Sequence, residues 1–361
     1  MSPGATSGAA WPTSPARSCA TPPCGSPGPP AGPCTAVPPD GRSLPVHPTV
    51  SVVVPTRNRA GGLLDVLGPL LADPATHELV VVDDGSSDAT PEVLAGLGER
   101  EPRLRQVRRE GVGAAAARQV GVEVATGDLL LFVDDDVIAC SGLVSGHRHR
   151  HSTSGVELVV VGYMPVRRPE RRGPGDAATL IYATEYENCC EAWRRDPADI
   201  LLRFWAGNVS IARRRCLAVP LPSPHAAIAY HEDEDFGLRL REAGVRAVFD
   251  PSLLAEHRYR RPLPAFLLDA YRQGSDRWHL RAAYPQLEAD LGWSLVPKAV
   301  PLTERPLGHR LSLLLAVTAA RWAGHLHLWA VETDALRLAR RLERRRGYTD
   351  AARGVEPVAA R

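Results

Sequence analysis

Hydrophobic residues along this chain follow two rhythms. Four short runs are almost wholly apolar, Val50 to Val54, Leu79 to Val82, Leu129 to Val133 and Leu158 to Val161. Runs of that length closed by polar turns predict strands buried on both faces, as in a parallel sheet covered by helices. Between the first two runs, Leu63, Leu64, Leu67, Leu70 and Leu71 recur at helical spacing, although Gly68 and Pro69 weaken that helix. Pro91 just after Thr90 marks a second helix start. Two strand–turn–helix units in succession imply a right-handed βαβ crossover, so the loops that follow the strands share one sheet edge. The expected fold class is therefore α/β: a Rossmann-like, mostly parallel sheet flanked by helices. Further on, Val245 to Phe249 predicts a closing strand ended by Asp250-Pro251. Tyr182 to Trp193 predicts an amphipathic core helix, with an acceptor-lining helix as the alternative. The arginine- and proline-rich stretch from Pro165 to Asp176 is expected to be a mobile loop.

The polar loops on that edge carry the candidate chemistry. The run Leu129 to Val133 leads straight into Asp134, Asp135 and Asp136. Ligands bind at the carboxyl edge of open α/β sheets, and clustered carboxylates there repel one another unless a cation or raised pKa values compensate. Asp134 and Asp136 form an Asp-x-Asp pair suited to a hard divalent ion, which takes one or two carboxylates and completes its shell with water and phosphate oxygens. A second acidic cluster, Glu232 to Asp235, crowds the first turn of a helix stopped by Gly244. The helix dipole accounts for two or three such acids but does not require four. Gly111, Gly113 and Ala116 spell G-x-G-x-x-A, a dinucleotide-loop pattern, but it follows the arginine-rich RLRQVRRE rather than a clean strand.

In order, SVVVPTRNR, VVVDDGSSDAT, GDLLLFVDDD, GNVSIARR and HEDEDFGLRLREAG resemble the successive motifs of glycosyltransferase family 2, inverting enzymes of the GT-A fold, over roughly residues 50 to 260. The resemblance implies a UDP, GDP or dTDP sugar donor, a divalent cation (Mn2+ or Mg2+), and transfer to a hydroxyl of a glycan, a lipid-linked molecule or a small molecule. It places Pro55, Thr56 and Asn58 at the nucleotide, Asp84 at the base, Arg118 toward the nucleotide, and Asp134 and Asp135 at the donor. Asp136 becomes the metal ligand, with Asp134 beside it on the ion or the ribose, and His257 completes the metal site or contacts the diphosphate. Gly207 and Asn208 fall in the turn beneath the donor sugar and, together with Glu232, are expected to bind the acceptor, and Asp233 is the catalytic base. Arg258, Arg260 and Arg261 could neutralise phosphate. The division expected is residues 49–150 for the nucleotide-sugar half, 151–261 for the acceptor and catalytic half, and 262–361 for a helical extension.

The chain has 361 residues, a formal net charge of +2 and a pI near 8.2, which does not suggest nucleic-acid binding. Lys298 is its only lysine. Residues 1–48 hold thirteen prolines with no hydrophobic period and are expected to be disordered. The seven cysteines lack zinc-ligand spacing, and adjacent Cys189 and Cys190 do not easily bridge, which favours a cytoplasmic setting. Leu311 to Val331 is interrupted by Arg321, His325 and His327, so it makes a poor spanning helix. The RLARRLERRR segment after it, with six arginines against one glutamate, is open to two readings, a peripheral contact with the inner face of the cell membrane or a solvated terminal helix. Two other function classes remain for the acidic loop: a phosphatase of the haloacid dehalogenase type, which normally opens on its aspartate loop and needs a later lysine, and a non-catalytic sugar-nucleotide binding protein.

Overall fold

A computed structural model describes residues 44–154, 156–225, 228–298 and 306–355 of the chain. Most of the segment expected to be disordered, residues 1–43, lies outside them, whereas Leu44 already packs against the core. Eight strands form one sheet: β1 (Val50–Thr56), β2 (Thr76–Asp84), β3 (Leu104–Arg109), β4 (Leu129–Val133), β5 (Val137–Ala139), β6 (Leu158–Tyr163), β7 (Asn208–Ala212) and β8 (Arg246–His257). Helices α1 (Leu63–Ala72), α2 (Thr90–Gly98), α3 (Ala114–Val124), α4 (Leu143–Ser154), α5 (Ala177–Arg195), α6 (Asp199–Leu202), α7 (Arg213–Ala218) and α8 (Glu232–Glu242) intervene between strands. Four more complete the chain, α9 (Leu263–Ala283), α10 (Leu287–Leu291), α11 (Pro306–His325) and α12 (Trp329–Ala352).

The strand order is β3-β2-β1-β4-β7-β6-β8-β5. β1 pairs in parallel with both β2 and β4, and β2 with β3, which is the crossover pattern expected from the apolar runs. Beyond β4 the sheet is mixed, because β7 runs antiparallel to both β4 and β6 while β8 is parallel to β6. Every residue of β1 and β4 is buried, as continuous apolar strands in the middle of a covered sheet must be.

The structure departs from the expected elements in two places. The arginine-rich RLRQVR sequence is a strand after all: β3 is the sheet's edge, with Arg105, Gln106, Arg108 and Arg109 exposed, so charge on its outer positions is compatible with pairing. Asp250-Pro251 does not end β8, which runs on to His257 past an irregularity opposite Gly162 and Tyr163. Proline is tolerated at such a bulge because no ladder hydrogen bond is required of it there. That continuation carries His257 to the site.

The loop expected to be mobile is tied at both ends. The Arg167 N–H donates to the His257 carbonyl, and Arg172 donates to the Trp329 carbonyl, Glu332 and Thr333 on α12. α9 and α12 cross with backbones in direct contact at two glycines. A Cβ on Gly274 would overlap the Arg344 carbonyl oxygen, and one on Gly347 would overlap that of Tyr271. Two of the arginines of α12, Arg340 and Arg344, turn inward and pair with Glu185 of α5, while Arg337, Arg341 and Arg346 are exposed. No helix among the described residues is long and apolar enough to cross a membrane.

Candidate functional site

Because β1 is flanked by β2 and β4 in parallel, the loops after all three strands meet at one edge. The Thr56 hydroxyl, at the end of β1, donates to Asp135 Oδ2 at 2.9 Å, and Arg59 reaches both neighbouring acids, Nε to Asp135 Oδ1 at 3.1 Å and Nη2 to Asp136 Oδ2 at 2.6 Å. Asn58 adopts the left-handed backbone (φ +55°), which asparagine tolerates better than most residues, and its side-chain oxygen accepts from Ser87 N–H at 2.8 Å. The first two loops are thereby stitched together. Pro55 is buried within β1 and can offer only backbone. Asp84 accepts from the backbone N–H groups of Val112 and Gly113 at 2.6 and 3.0 Å, so it shapes the loop before α3 as well as facing the edge. A cavity of about 260 Å³ opens here, lined by Asn58, Arg59, Asp135, Asp136, Ile138 and Arg258.

Asp134 turns the other way. Arg118, on α3 and only 5% exposed, donates to Asp134 Oδ1 at 2.7 Å and to Asp233 Oδ1 at 3.3 Å, with Glu232 at 3.7 Å. The Ala206 N–H holds the other Asp233 oxygen at 3.0 Å. One buried guanidinium thus joins the acidic loop after β4 to the first turn of α8. Arg118 was expected to aim at the nucleotide; in the structure its donors engage this carboxylate cluster. Gly207 lies directly beneath, and a Cβ there would come within 2.7 Å of Asp134 Oδ2 and 2.9 Å of the Met164 sulfur. Asn208, expected at the acceptor, is 1% exposed. Its amide is committed to His147 at 3.0 Å and to the Leu253 carbonyl at 3.0 Å, because the position points into the layer between sheet and α4.

Charge compensation follows from these contacts. Burial pushes Arg118 down, but the three carboxylates around it outweigh that, and its pKa is raised. Burial, reinforced by Asp233, pushes Glu232 up to about 8, and burial likewise raises Asp233 against the pull of Arg118. Asp135 is raised by burial to about 6 despite Arg59. For Asp136 burial acts upward too, yet the hydrogen bond and charge of His257 together with Arg59 hold it at about 2. Adjacent aspartates therefore sit in opposite regimes.

The donor set for a divalent ion can be tested on distances. Asp136 Oδ1 and His257 Nε2 are 3.2 Å apart, close to the ~3 Å separation of two ligands bound at right angles about 2.1 Å from one ion. Among the described residues no group of three or more His, Cys, Asp or Glu is poised to share an ion. The fit is that of a cation held by two side chains and completed by phosphate and water. Asp134, engaged by Arg118, lies apart from this pair.

Three features were not singled out in the sequence. Arg59, inside PTRNR, was visible only as part of a motif. Tyr182 stacks on Tyr259 with ring centroids 3.7 Å apart and meets His257 edge-on at 5.6 Å, roofing the imidazole; its spacing looked like any core position. Met164 packs beneath Gly207 with no sequence signal at all.

Residues 51–193 match the family model described as "Glycosyl transferase family 2". Validoxylamine A glucosyltransferase of Streptomyces hygroscopicus subsp. jinggangensis is 37% identical over 120 residues, 32% of this chain and 28% of that protein. The uncharacterized glycosyltransferase YibD of Escherichia coli K12 is 33% identical over 88 residues, 24% of this chain and 26% of that one. The chain thus spans about a quarter of the length of these curated relatives. Among solved structures, the mannosyltransferase PcManGT from Pyrobaculum calidifontis, in complex with GDP-Man and Mn2+, superposes with a TM-score of 0.50 at 17% identity, covering 81% of this chain and 86% of that one. That likeness shows a shared GT-A fold.

Proposed function

We propose that this chain, which matches the glycosyltransferase family 2 model over residues 51–193, belongs to that family and transfers a hexose from a nucleoside diphosphate sugar to a hydroxyl acceptor with inversion, aided by a divalent cation. One observation carries the reading: Arg118 brings Asp134, at the end of β4, and Asp233, at the start of α8, onto a single guanidinium at 2.7 and 3.3 Å. The carboxylate read as donor-side and the one read as the base thereby share one buried guanidinium. The names of the relatives support a hexosyl donor, since one is a glucosyltransferase and the structural neighbour holds GDP-Man and Mn2+.

In this reading Asp233 accepts the acceptor's hydroxyl proton as that oxygen attacks the anomeric carbon. The bond to the nucleoside diphosphate breaks on the opposite face, so a single displacement inverts the centre. Burial raises the pKa of Asp233 and makes it a stronger base than a solvated aspartate, while Arg118 and the Ala206 N–H keep it oriented. Asp136 and His257 would hold the cation, whose chemistry is to neutralise charge on the departing diphosphate. Asn58, Thr56 and Asp84 shape the nucleotide end, with Arg59 and Asp135 at its border. Glu232, beside the base, faces the acceptor side, and Gly207 supplies the clearance beneath Asp134.

The test is turnover with a panel of UDP, GDP and dTDP hexoses, with and without Mn2+, alongside thermal shift. A preferred donor raises Tm by mass action and is consumed in the presence of an acceptor. Donor binding with no transfer to any hydroxyl acceptor would leave a binding protein; release of inorganic phosphate from a simple aryl phosphate would point to a phosphatase.

A further inference from the structure

α11 is amphipathic in the wrong sense for a helix packed on a protein. The residues it buries are small, Ala316, Ala320, Ala323 and Gly324, where it meets α12. The residues it leaves in solvent are large: Leu307, Leu311, Leu314, Leu315, Trp322 and, at the turn, Leu326 are 55% or more exposed. At 100° per residue these six fall on one face about a third of the helix circumference wide. The surface continues through the turn into Leu328 and Val331, 50% and 51% exposed. Monomeric proteins seldom leave a contiguous apolar strip of this length uncovered.

Charge identifies what covers it. α11 contains no aspartate or glutamate. Arg310 and Arg321 are exposed along one border of the apolar strip, with exposed His325 just inside it. His309 is the helix's other titratable group and is turned inward onto Glu343 at 3.2 Å. Among the described residues, the exposed acid that follows α11 most closely in sequence, Asp334 on α12, is paired with Arg337. Arg321 and His325 also line a cavity of about 610 Å³ between α11, α12, α5 and the start of α9, together with Arg260 and Arg261. Its two acids are already satisfied, Asp176 by the Gly173 N–H and Glu332 by Arg172 and the Gly175 N–H. The face is therefore apolar at its centre and cationic at one border, with further arginine at its back. A bilayer bearing anionic lipid matches both halves of that pattern, with acyl chains for the leucines and phosphate headgroups for the arginines.

We propose that α11 docks flat onto an anionic lipid surface through Leu311, Leu314, Leu315, Trp322 and Leu326, with Arg310 and Arg321 on the headgroups. The contact is interfacial rather than spanning, and it lies on α11 rather than on the arginine-rich stretch of α12, where Arg337, Arg341 and Arg346 are exposed but Leu338 is the one large apolar side chain exposed beside them. It does not depend on the reading of the catalytic site.

The experiment is co-sedimentation of the full chain with vesicles of phosphatidylcholine alone and of phosphatidylcholine with phosphatidylglycerol. The mixed vesicles should pellet the protein and the neutral ones should do so at least about tenfold less efficiently at low salt. Leu311→Glu with Leu315→Glu should reduce pelleting on mixed vesicles by about tenfold or more, and Arg310→Gln with Arg321→Gln should flatten its salt dependence. All substituted side chains are exposed, and unchanged far-UV circular dichroism and Tm would show that the variants fold. Wild type that stays in the supernatant with mixed vesicles, or Leu311→Glu/Leu315→Glu that still pellets, overturns the proposal. So does light scattering that shows a dimer of the wild type dissolved by the same leucine substitutions, since the face would then belong to a second copy. Donor binding measured without vesicles keeps this result separate from the glycosyl-transfer reading.

Discussion

The Arg59 guanidinium lies 2.6 Å from Asp136 Oδ2, while the other oxygen of the same carboxylate faces His257 Nε2 at 3.2 Å. Asp136 is thus shared between an internal cation and the imidazole with which it would hold an external one. Arg59→Gln should remove the competitor. Mn2+ affinity in the absence of nucleotide should rise several-fold, since two clustered carboxylates lose a compensating charge, at order ~1 kcal/mol for a partly exposed pair. Titration calorimetry checks this, and affinity equal to or weaker than wild type would contradict it.

Asp136→Ala should abolish the Mn2+-dependent part of donor binding, and His257→Ala should raise the Mn2+ concentration needed for it. The measurement is nucleotide-sugar affinity with Mn2+ and with chelator. The pairing of Asp136 with His257 fails as a cation site if both variants keep the wild-type difference.

Asp233→Asn keeps size and can still accept from the Ala206 N–H, but it cannot take a proton. Turnover at saturating donor should fall on the order of 10²-fold or more, about 3 kcal/mol of transition-state stabilisation, while donor affinity stays near wild type. Glu232→Gln is the control: should it abolish turnover while Asp233→Asn is active, the base is the neighbouring acid.

Arg118→Met strands three carboxylates on a side chain's worth of apolar surface. Losing one partner of a buried charge cluster costs roughly 3–5 kcal/mol, and here the loss should depend on pH. Burial raises Glu232 to about 8, above its ordinary value, so the folded state holds that proton more tightly and its stability declines as pH climbs from the ordinary carboxylate range through about 8. Without Arg118 the decline should steepen, so the Tm deficit should be larger at pH 8 than at pH 5. An equal deficit at both would mean that the cluster's charge does not limit stability.

Gly207→Ala should cost activity more than stability. The new methyl would displace the Asp134 carboxylate, 2.7 Å away, from Arg118, whereas the flexible Met164 side chain can yield. Donor affinity or turnover should drop while Tm changes little, and full activity would show that Asp134 has room to spare.

How much of the fold and site was legible in the sequence depended on what each residue had to satisfy. β1, β2 and β4 are apolar on both faces because helices cover them, and a short continuous apolar run seldom suits any setting but a strand covered on both sides. β3 was hidden because an edge strand can carry Arg105 and Arg108 without burying them. The extension of β8 beyond Pro251 was masked by a residue that usually ends strands. The acids of the site announced themselves by clustering, but their partners did not. Arg118 sits in AAAARQV, where no local pattern separates a buried arginine from a solvated one, and the commitment of Asn208 to His147 depends on a helix 61 positions earlier. Burial of a charge is a property of the assembled layers, and periodicity reports only which face a residue occupies.

The crossing of α9 and α12 has a consequence for geometry at larger scale. With Gly274 against the Arg344 carbonyl and Gly347 against that of Tyr271, the two axes have one permitted register, since a shift by a residue would drive a side chain into backbone. α12 in turn seats α11, and α9 follows directly from the His257 strand. The tilt of the leucine-bearing helix relative to His257 therefore follows from that register together with the packing of α11 on α12. The height and angle at which a surface under α11 would meet the Asp136–His257 edge are thus set in part by the absence of two methyl groups.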